Sequence, residues 1–227
     1  MPTNEPHPRG ARVDMDKGVP DLPYVLRPRG LRTGLTALLS AVAVFVVPTV
    51  AQAACQSTPT TKPFQAFGDS HDYSLVPNGG FEFGAGGWSL SGARVAAGNE
   101  SWSVRAASDS KSLAIDAGGT AVSPTVCVDL SRPTYRFFAR RTSGSWGVLN
   151  LRVRWQDSSG RTNETTIAAL DSNFGTGWNA TPAYNIASLL GLWNANQDVS
   201  VQLIFDPENY GGSWAIDDVY VDPYGRG

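Results

Sequence analysis

Between residues 148 and 156 apolar and polar side chains alternate without a break: Leu149, Leu151, Val153 and Trp155 against Asn150, Arg152, Arg154 and Gln156. A period of two predicts a strand with one face toward a core and one wet, cationic face. Asp157-Ser158-Ser159-Gly160 reads as a turn, and the polar, Thr-rich stretch 161–167 as its return strand. Val199, Val201, Leu203 and Phe205 alternate in the same way, and a final strand is predicted over 213–222. Thr134–Arg141 is another strand, and shorter ones are predicted at 88–91, 93–97, 102–106, 111–116 and 120–128. Ile186, Leu189, Leu190 and Trp193 approach helical spacing, which predicts one short connecting helix within 182–194. Strands at intervals of roughly ten residues, punctuated by Gly and Ser, predict an all-β fold: a single antiparallel β-sandwich over residues 74–224.

What precedes that domain is different material. Residues 35–50 carry no charge, Arg27, Arg29 and Arg32 stand before them, and Ala51-Gln52-Ala53 follows. A basic lead, a short apolar run and a small-residue exit predict a secretory leader over 1–53, disordered or helical, and hence an extracellular location. The apolar run is shorter than the ~20 residues a bilayer span needs, so no membrane span is expected in the mature chain. Residues 54–73 read as an extended lead-in. Removing the leader takes six of the 18 basic and four of the 20 acidic residues and leaves a net charge of −4. That balance gives no electrostatic footprint for nucleic acid.

The only two cysteines are Cys55 and Cys127. In an oxidising compartment an even count predicts a bridge. A loop that long is worth about 4 kcal/mol in the chain-entropy account. The alternative is a lipid on Cys55, although Gln52 stands where lipoprotein signals usually carry Leu.

The catalytic inventory is poor. His7 leaves with the leader and His71 sits in the lead-in, which argues against a Ser-His-Asp arrangement. No zinc spacing and no phosphate-binding glycine loop is present. Asp217 and Asp218 are adjacent, and adjacent strand residues face opposite sides, so they are poorly placed to flank one glycosidic bond. No enzyme is expected.

Two segments carry a resemblance: Asn78-Gly79-Gly80-Phe81-Glu82 followed by Gly87-Trp88, and Ile216-Asp217-Asp218-Val219 near the end. Together they resemble the opening and closing strands of jelly-roll carbohydrate-binding modules of the galactose-binding-like type. The resemblance implies a jelly roll whose first and last strands are neighbours, and a non-catalytic protein that recognises a polysaccharide or glycan. It also implies a structural calcium ion (Ca2+) held by Glu82 and Asp217, with Asp218 as the substitute, beside backbone carbonyls. Sugar sites use exposed aromatic faces ringed by polar groups. Trp88, Trp155 and Trp214 fall inside apolar strand patterns and read as core. Trp102, Trp146, Trp178, Trp193 and Tyr210 lie at strand ends or in loops and are the candidate platforms, with Arg152 and Arg154 on the polar strand face beside them. The other reading of the same residues is an extracellular structural or protein-interaction sandwich without glycan specificity.

Overall fold

The computed structural model describes residues 58–128, 134–157, 159–186 and 199–222. The leader 1–53, Cys55 and Trp193 lie outside the described residues. The elements are β1 (Ser74–Leu75), β2 (Ser89–Ala97), β3 (Lys111–Val122), β4 (Val126–Val128), β5 (Thr134–Arg141), β6 (Leu149–Gln156), β7 (Thr162–Leu170), β8 (Asn179–Ala180), β9 (Tyr184–Asn185), β10 (Val199–Pro207) and β11 (Trp214–Val221). Two short 3-10 turns, Gln65–Phe67 and Ser172–Phe174, are the helical elements among the described residues. The predicted helix over 182–194 meets strand at Tyr184–Asn185, and its part beyond residue 186 lies outside the described residues.

All strand pairs are antiparallel, in the order β7-β6-β10-β3-β11-β5-β8, with β1 on β11, β2 on β3, β4 on β10 and β9 on β5. β3 is the hinge that turns this ladder into a two-layered jelly roll. Its first part pairs with β11 (Ile115 opposite Trp214) and its last residues with β10 (Ala121 opposite Phe205). Between them lie Gly118, at φ 73°, and Gly119, where a Cβ would run into the Gly92 carbonyl of β2. Facing glycines let two strands cross the corner together, and the register of β2 against β3 shifts at that place.

The core lies between the layers. Leu149, Leu151 and Val153 of β6, Val201, Leu203 and Phe205 of β10, and Trp214 and Ile216 of β11 are buried in it. Trp88 joins them, 5.1 Å from the Phe81 ring and 6.0 Å from Phe205, with its indole N–H donated to the Pro77 carbonyl at 3.0 Å. The first and last strands are neighbours, Ser74 opposite Val221 and Leu75 opposite Tyr220. The predicted strand at 102–106 is instead a turn. The Glu100 carboxylate accepts the backbone N–H groups of Trp102 and Val104, and these local bonds bend the chain away from any ladder.

The described part of the lead-in is folded onto the outer side of β5 and β11. Phe64 is fully buried against Tyr73, Phe138 and Tyr220. The Arg136 guanidinium lies 4.3 Å over the Phe64 ring and donates to the Thr181 carbonyl at 2.8 Å and to Asp69 at 2.5 Å. Asp69 also accepts from the Tyr73 hydroxyl at 2.8 Å and from the backbone and ring nitrogens of His71.

Burial by itself would raise the Asp69 carboxyl, but the donors Tyr73, Arg136 and His71 outweigh it and hold the group far below the usual carboxylate range. A depressed folded-state value means that the stabilisation is complete above the unfolded value near 4 and is lost as pH falls below it. Asp69→Asn leaves the buried Arg136 charge unmatched and is expected to cost roughly 2 kcal/mol, a fall in Tm of roughly 4–8 °C. Melting measured from pH 7 down to pH 3 checks this: the wild-type advantage over the variant should shrink toward the acid end.

Candidate functional site

Two places on the domain bring chemistry-bearing residues together. The first is built by two loops. Residues 142–148 leave β5 and residues 208–213 enter β11, and glycine lets their backbones touch. A Cβ at Gly144, which has φ 76°, would overlap the Gly211 carbonyl, and one at Gly211, with φ 138°, would stand 2.8 Å from the Trp146 carbonyl oxygen. Thr142 donates its N–H to the Ser213 carbonyl at 2.8 Å, and Ser213 donates its own to the Ser143 hydroxyl at 3.1 Å. Arg141 adds a bond from Nη1 to the Ser145 carbonyl at 2.8 Å.

The clasp carries two aromatic side chains into solvent: Trp146 is 77% exposed and Tyr210 89%. Beside Tyr210 lies a cavity of about 370 Å³, lined by Gly118, Asn150, Asp206, Glu208 and Asn209 as well. Asn150 and Asp206 face each other across β6 and β10 and begin the polar face of that sheet. Along it, Arg152 reaches Asp206 at 2.8 Å and also pairs with Glu164, and Arg154 pairs with Glu164 at 2.8 Å. The face the alternation predicted as wet and cationic is thus neutralised by an acidic residue from each flanking strand.

The other candidate platforms sit elsewhere. Trp102 stacks on Phe138 at 5.4 Å and meets Phe67 edge-on at 4.9 Å. Trp178 packs against the lead-in cluster, with the Arg140 guanidinium 5.0 Å over its ring. Trp102 keeps 44% of its surface exposed, and both rings lie against the lead-in cluster rather than at the cavity beside Tyr210.

The second place is the carboxylate corner where the opening loop meets β11. Asp217 and Asp218 are 0% and 1% exposed. A register irregularity between Asp217 and Tyr220, with Asp218 at φ 47°, breaks the strand's alternation there, so both side chains are buried. Asp217 accepts the N–H of Glu100 at 3.0 Å and that of Asp218 at 2.9 Å. Glu82 accepts the N–H groups of Ser110 at 2.8 Å and Lys111 at 2.6 Å. Neither oxygen of Asp218 accepts a hydrogen bond among the described residues. The nearest cation is Arg105, whose Nε lies 3.8 Å from Asp218 Oδ1. Gly80 closes the space, since a Cβ there would stand 2.8 Å from Asp218 Oδ1.

Burial first, and then the Asp218 charge, push the Asp217 carboxyl up. Burial followed by Glu100 raises Asp218, with Asp109 and Glu82 adding and Arg105 opposing. Nothing in the sequence points to Glu100, Arg105 and Asp109, because no local pattern ties them to residues more than a hundred positions away.

A calcium ion takes oxygen ligands and tolerates irregular geometry. The orphaned, buried carboxylate of Asp218 would offer such an ion one charged oxygen ligand. Among the described residues no three His, Cys, Asp or Glu side chains form a metal-ligating group, so Glu82 and Asp217 are not joined with Asp218 into one set. Cys127 lies on β4, and its predicted partner Cys55 is outside the described residues. His71 directs its hydrogen bonds to Asp69, and no serine hydroxyl is bonded to it among the described residues. No described helix is long and apolar enough to cross a membrane.

No protein-family model matches the chain, and no curated protein matches it by sequence. Solved structures do. The chain is similar to the enzymatically active domain of tailspike protein 4 of bacteriophage CBA120 at 16% identity and a TM-score of 0.44. That match covers 66% of this chain and 21% of the tailspike. It is similar to the C-terminal family 22 carbohydrate-binding module of Clostridium thermocellum Xyn10B at 19% identity and a TM-score of 0.41, over 64% of this chain and 92% of that one. TmCBM61, solved with β-1,4-galactotriose, is similar at 20% identity and a TM-score of 0.37, over 66% and 98%.

The clasp yields a test of its own. Gly144 and Gly160 have nearly the same positive φ, 76° and 79°, but only a Cβ at Gly144 would meet other atoms. Gly160→Ala is expected to cost about 1 kcal/mol of backbone strain, and Gly144→Ala at least about 2 kcal/mol more because the two loops must separate. Urea unfolding of both variants gives the difference.

Proposed function

We propose that this chain is a secreted, non-catalytic glycan-binding domain that holds a polysaccharide at the Trp146–Tyr210 end of the sandwich. The observation that carries the reading is the pair of solvent-facing aromatics on two interlocked loops, with a polar cavity beside Tyr210. Aromatic faces offer flat apolar surface to the C–H face of a pyranose, and Asn150, Asp206, Glu208 and Asn209 offer hydrogen-bond partners to its hydroxyls. Arg152 and Arg154 continue the polar surface along β6. Exposed large aromatics are costly to solubility and are worth keeping where a partner covers them. The loops are locked before the ligand arrives, which lowers the ordering cost of binding.

The same reading includes export by the leader 1–53, a bridge between Cys55 and Cys127 formed outside the cell, and a structural calcium ion at the corner. Asp218 would be the charged ligand there, with Glu82 and Asp217 adding to the local negative potential. The bound metal would supply the counter-charge that a donorless buried carboxylate lacks. One observation favours the second reading, an extracellular structural or protein-interaction sandwich. The ion pairs of Arg152 and Arg154 with Glu164 and Asp206 already occupy much of the polar sheet face.

Residues 54–227 pulled down on insoluble neutral polysaccharides, with a glycan array for soluble ones, decide between the two. Trp146→Ala and Tyr210→Ala are each expected to weaken binding about tenfold or more while leaving Tm within about 1 °C, because both side chains are exposed. Binding that survives the double substitution, or no binding to any glycan, removes the first reading.

Calcium is tested by melting with millimolar calcium and with chelator. The wild type should melt higher in calcium, and Asp218→Asn should abolish the difference.

A further inference from the structure

The corner holds five carboxylates, those of Glu82, Glu100, Asp109, Asp217 and Asp218, which bear on one another electrostatically. Their needs are met unequally. Glu82, Glu100 and Asp217 each accept backbone N–H groups. Asp109 is held by Arg105 through two parallel bonds, Nε to Oδ2 and Nη2 to Oδ1, both 2.8 Å. That fork-to-fork geometry fixes the guanidinium plane. Asp218 is left with no donor, and the same Nε stands 3.8 Å from its Oδ1. Gly80 marks how tight the packing is, since a Cβ there would lie 2.9 Å from Arg105 Nε and 2.8 Å from Asp218 Oδ1.

We infer that Arg105 is the resident counter-cation of Asp218, and that a metal ion reaches Asp218 only in competition with this guanidinium. The geometry behind this is simple. Calcium binds a carboxylate oxygen at 2.3–2.6 Å and brings two positive charges. A guanidinium 3.8 Å from the same oxygen occupies the neighbouring volume and repels the ion across a small, poorly solvated gap. Arg105 side-chain exposure is 26%, so the residue has an open side toward which it can withdraw. Among the described residues, Asp109 is the one hydrogen-bond partner that ties it there. The corner is therefore satisfied in two ways: by Arg105 shared between Asp109 and Asp218, or by a metal on Asp218 with Arg105 left to Asp109. This rests on the calcium reading for its metal-bound form only; the Arg105–Asp218 pairing stands without it.

The test combines calorimetric calcium titration with a double-mutant cycle in chelator. Arg105→Gln should bind calcium at least tenfold more tightly than the wild type, and should gain more in Tm from added calcium. Equal affinities and equal gains would overturn the competition. In chelator, Arg105→Gln should lower Tm, and Asp218→Asn in the same chain should recover much of that loss, because the charge needing Arg105 is gone. If the losses simply add, Arg105 serves Asp109 alone and the inference fails. Should neither the wild type nor Arg105→Gln respond to calcium, the metal reading falls by itself, and the chelator cycle still decides whether Arg105 is the counter-cation.

Discussion

Val219 is hydrogen-bonded in both directions to the opening segment: its carbonyl takes the Val76 N–H at 2.9 Å, and its N–H goes to the Gly79 carbonyl at 3.1 Å. The fold closes on this pair of bonds. β11 lies among β3, β5 and β1, and all eight of its residues are buried. A strand in that position cannot slip by one residue without turning its core side chains to the wrong face. Gly79 has room for no side chain there, since a Cβ would fall 2.9 Å from the Val219 carbonyl. The two glycines of the opening loop are therefore a requirement of close backbone approach, while Asn78, at φ 55°, takes the left-handed turn position before them. The same approach brings Gly80 against Asp218 and so creates the corner.

How far the sequence reveals this depends on the range of the interaction that decides each element. The alternation at 148–156 gives β6 to within one residue, because a strand with one buried face needs only its own side chains to declare itself. The glycines marked turns, but not that Gly92 and Gly119 face each other at a shared corner, or that Gly144 and Gly211 lock two loops. Those are contacts across 27 and 67 positions. The stretch 102–106 has apolar residues at strand spacing and is no strand, because the Glu100 side chain supplies the backbone donors with a local partner. The lead-in reads as extended for want of periodicity. It is in fact fastened by Phe64 and Asp69 onto Arg136, a residue that looks from the sequence like an ordinary strand cation.

The aromatics divide on the same ground. Trp102, Trp146, Trp178 and Tyr210 look alike in sequence, each beside small or polar neighbours in a loop or at a strand end. What separates them is whether another side chain meets the ring. Phe67 and Phe138 receive Trp102, and Arg140 covers Trp178. Trp146 and Tyr210 are carried on loops whose own backbones fill the space beneath them. Glycines at 144, 147, 211 and 212 leave the clasp without side chains to bury the two rings. A clasp built of backbone is rigid and thin, and both properties favour a surface that presents aromatic faces instead of hiding them.

One strand serves both sites. Gly212 fixes the clasp immediately before β11 begins, and Asp218 stands six residues further on. At about 3.3 Å of rise per residue the separation along the strand is roughly 20 Å. That exceeds the Debye length of about 8 Å at physiological ionic strength, although the buried carboxylates of the corner are screened less than exposed charges are. Trp214 and Ile216, both fully buried between the two sites, hold the register of β11 by packing and by pairing with Ile115 and Leu113 of β3 and with Arg141 and Ala139 of β5. The carboxylate corner thus lies where β11 meets the opening loop, and the clasp at the other end of the same strand presents the two exposed rings.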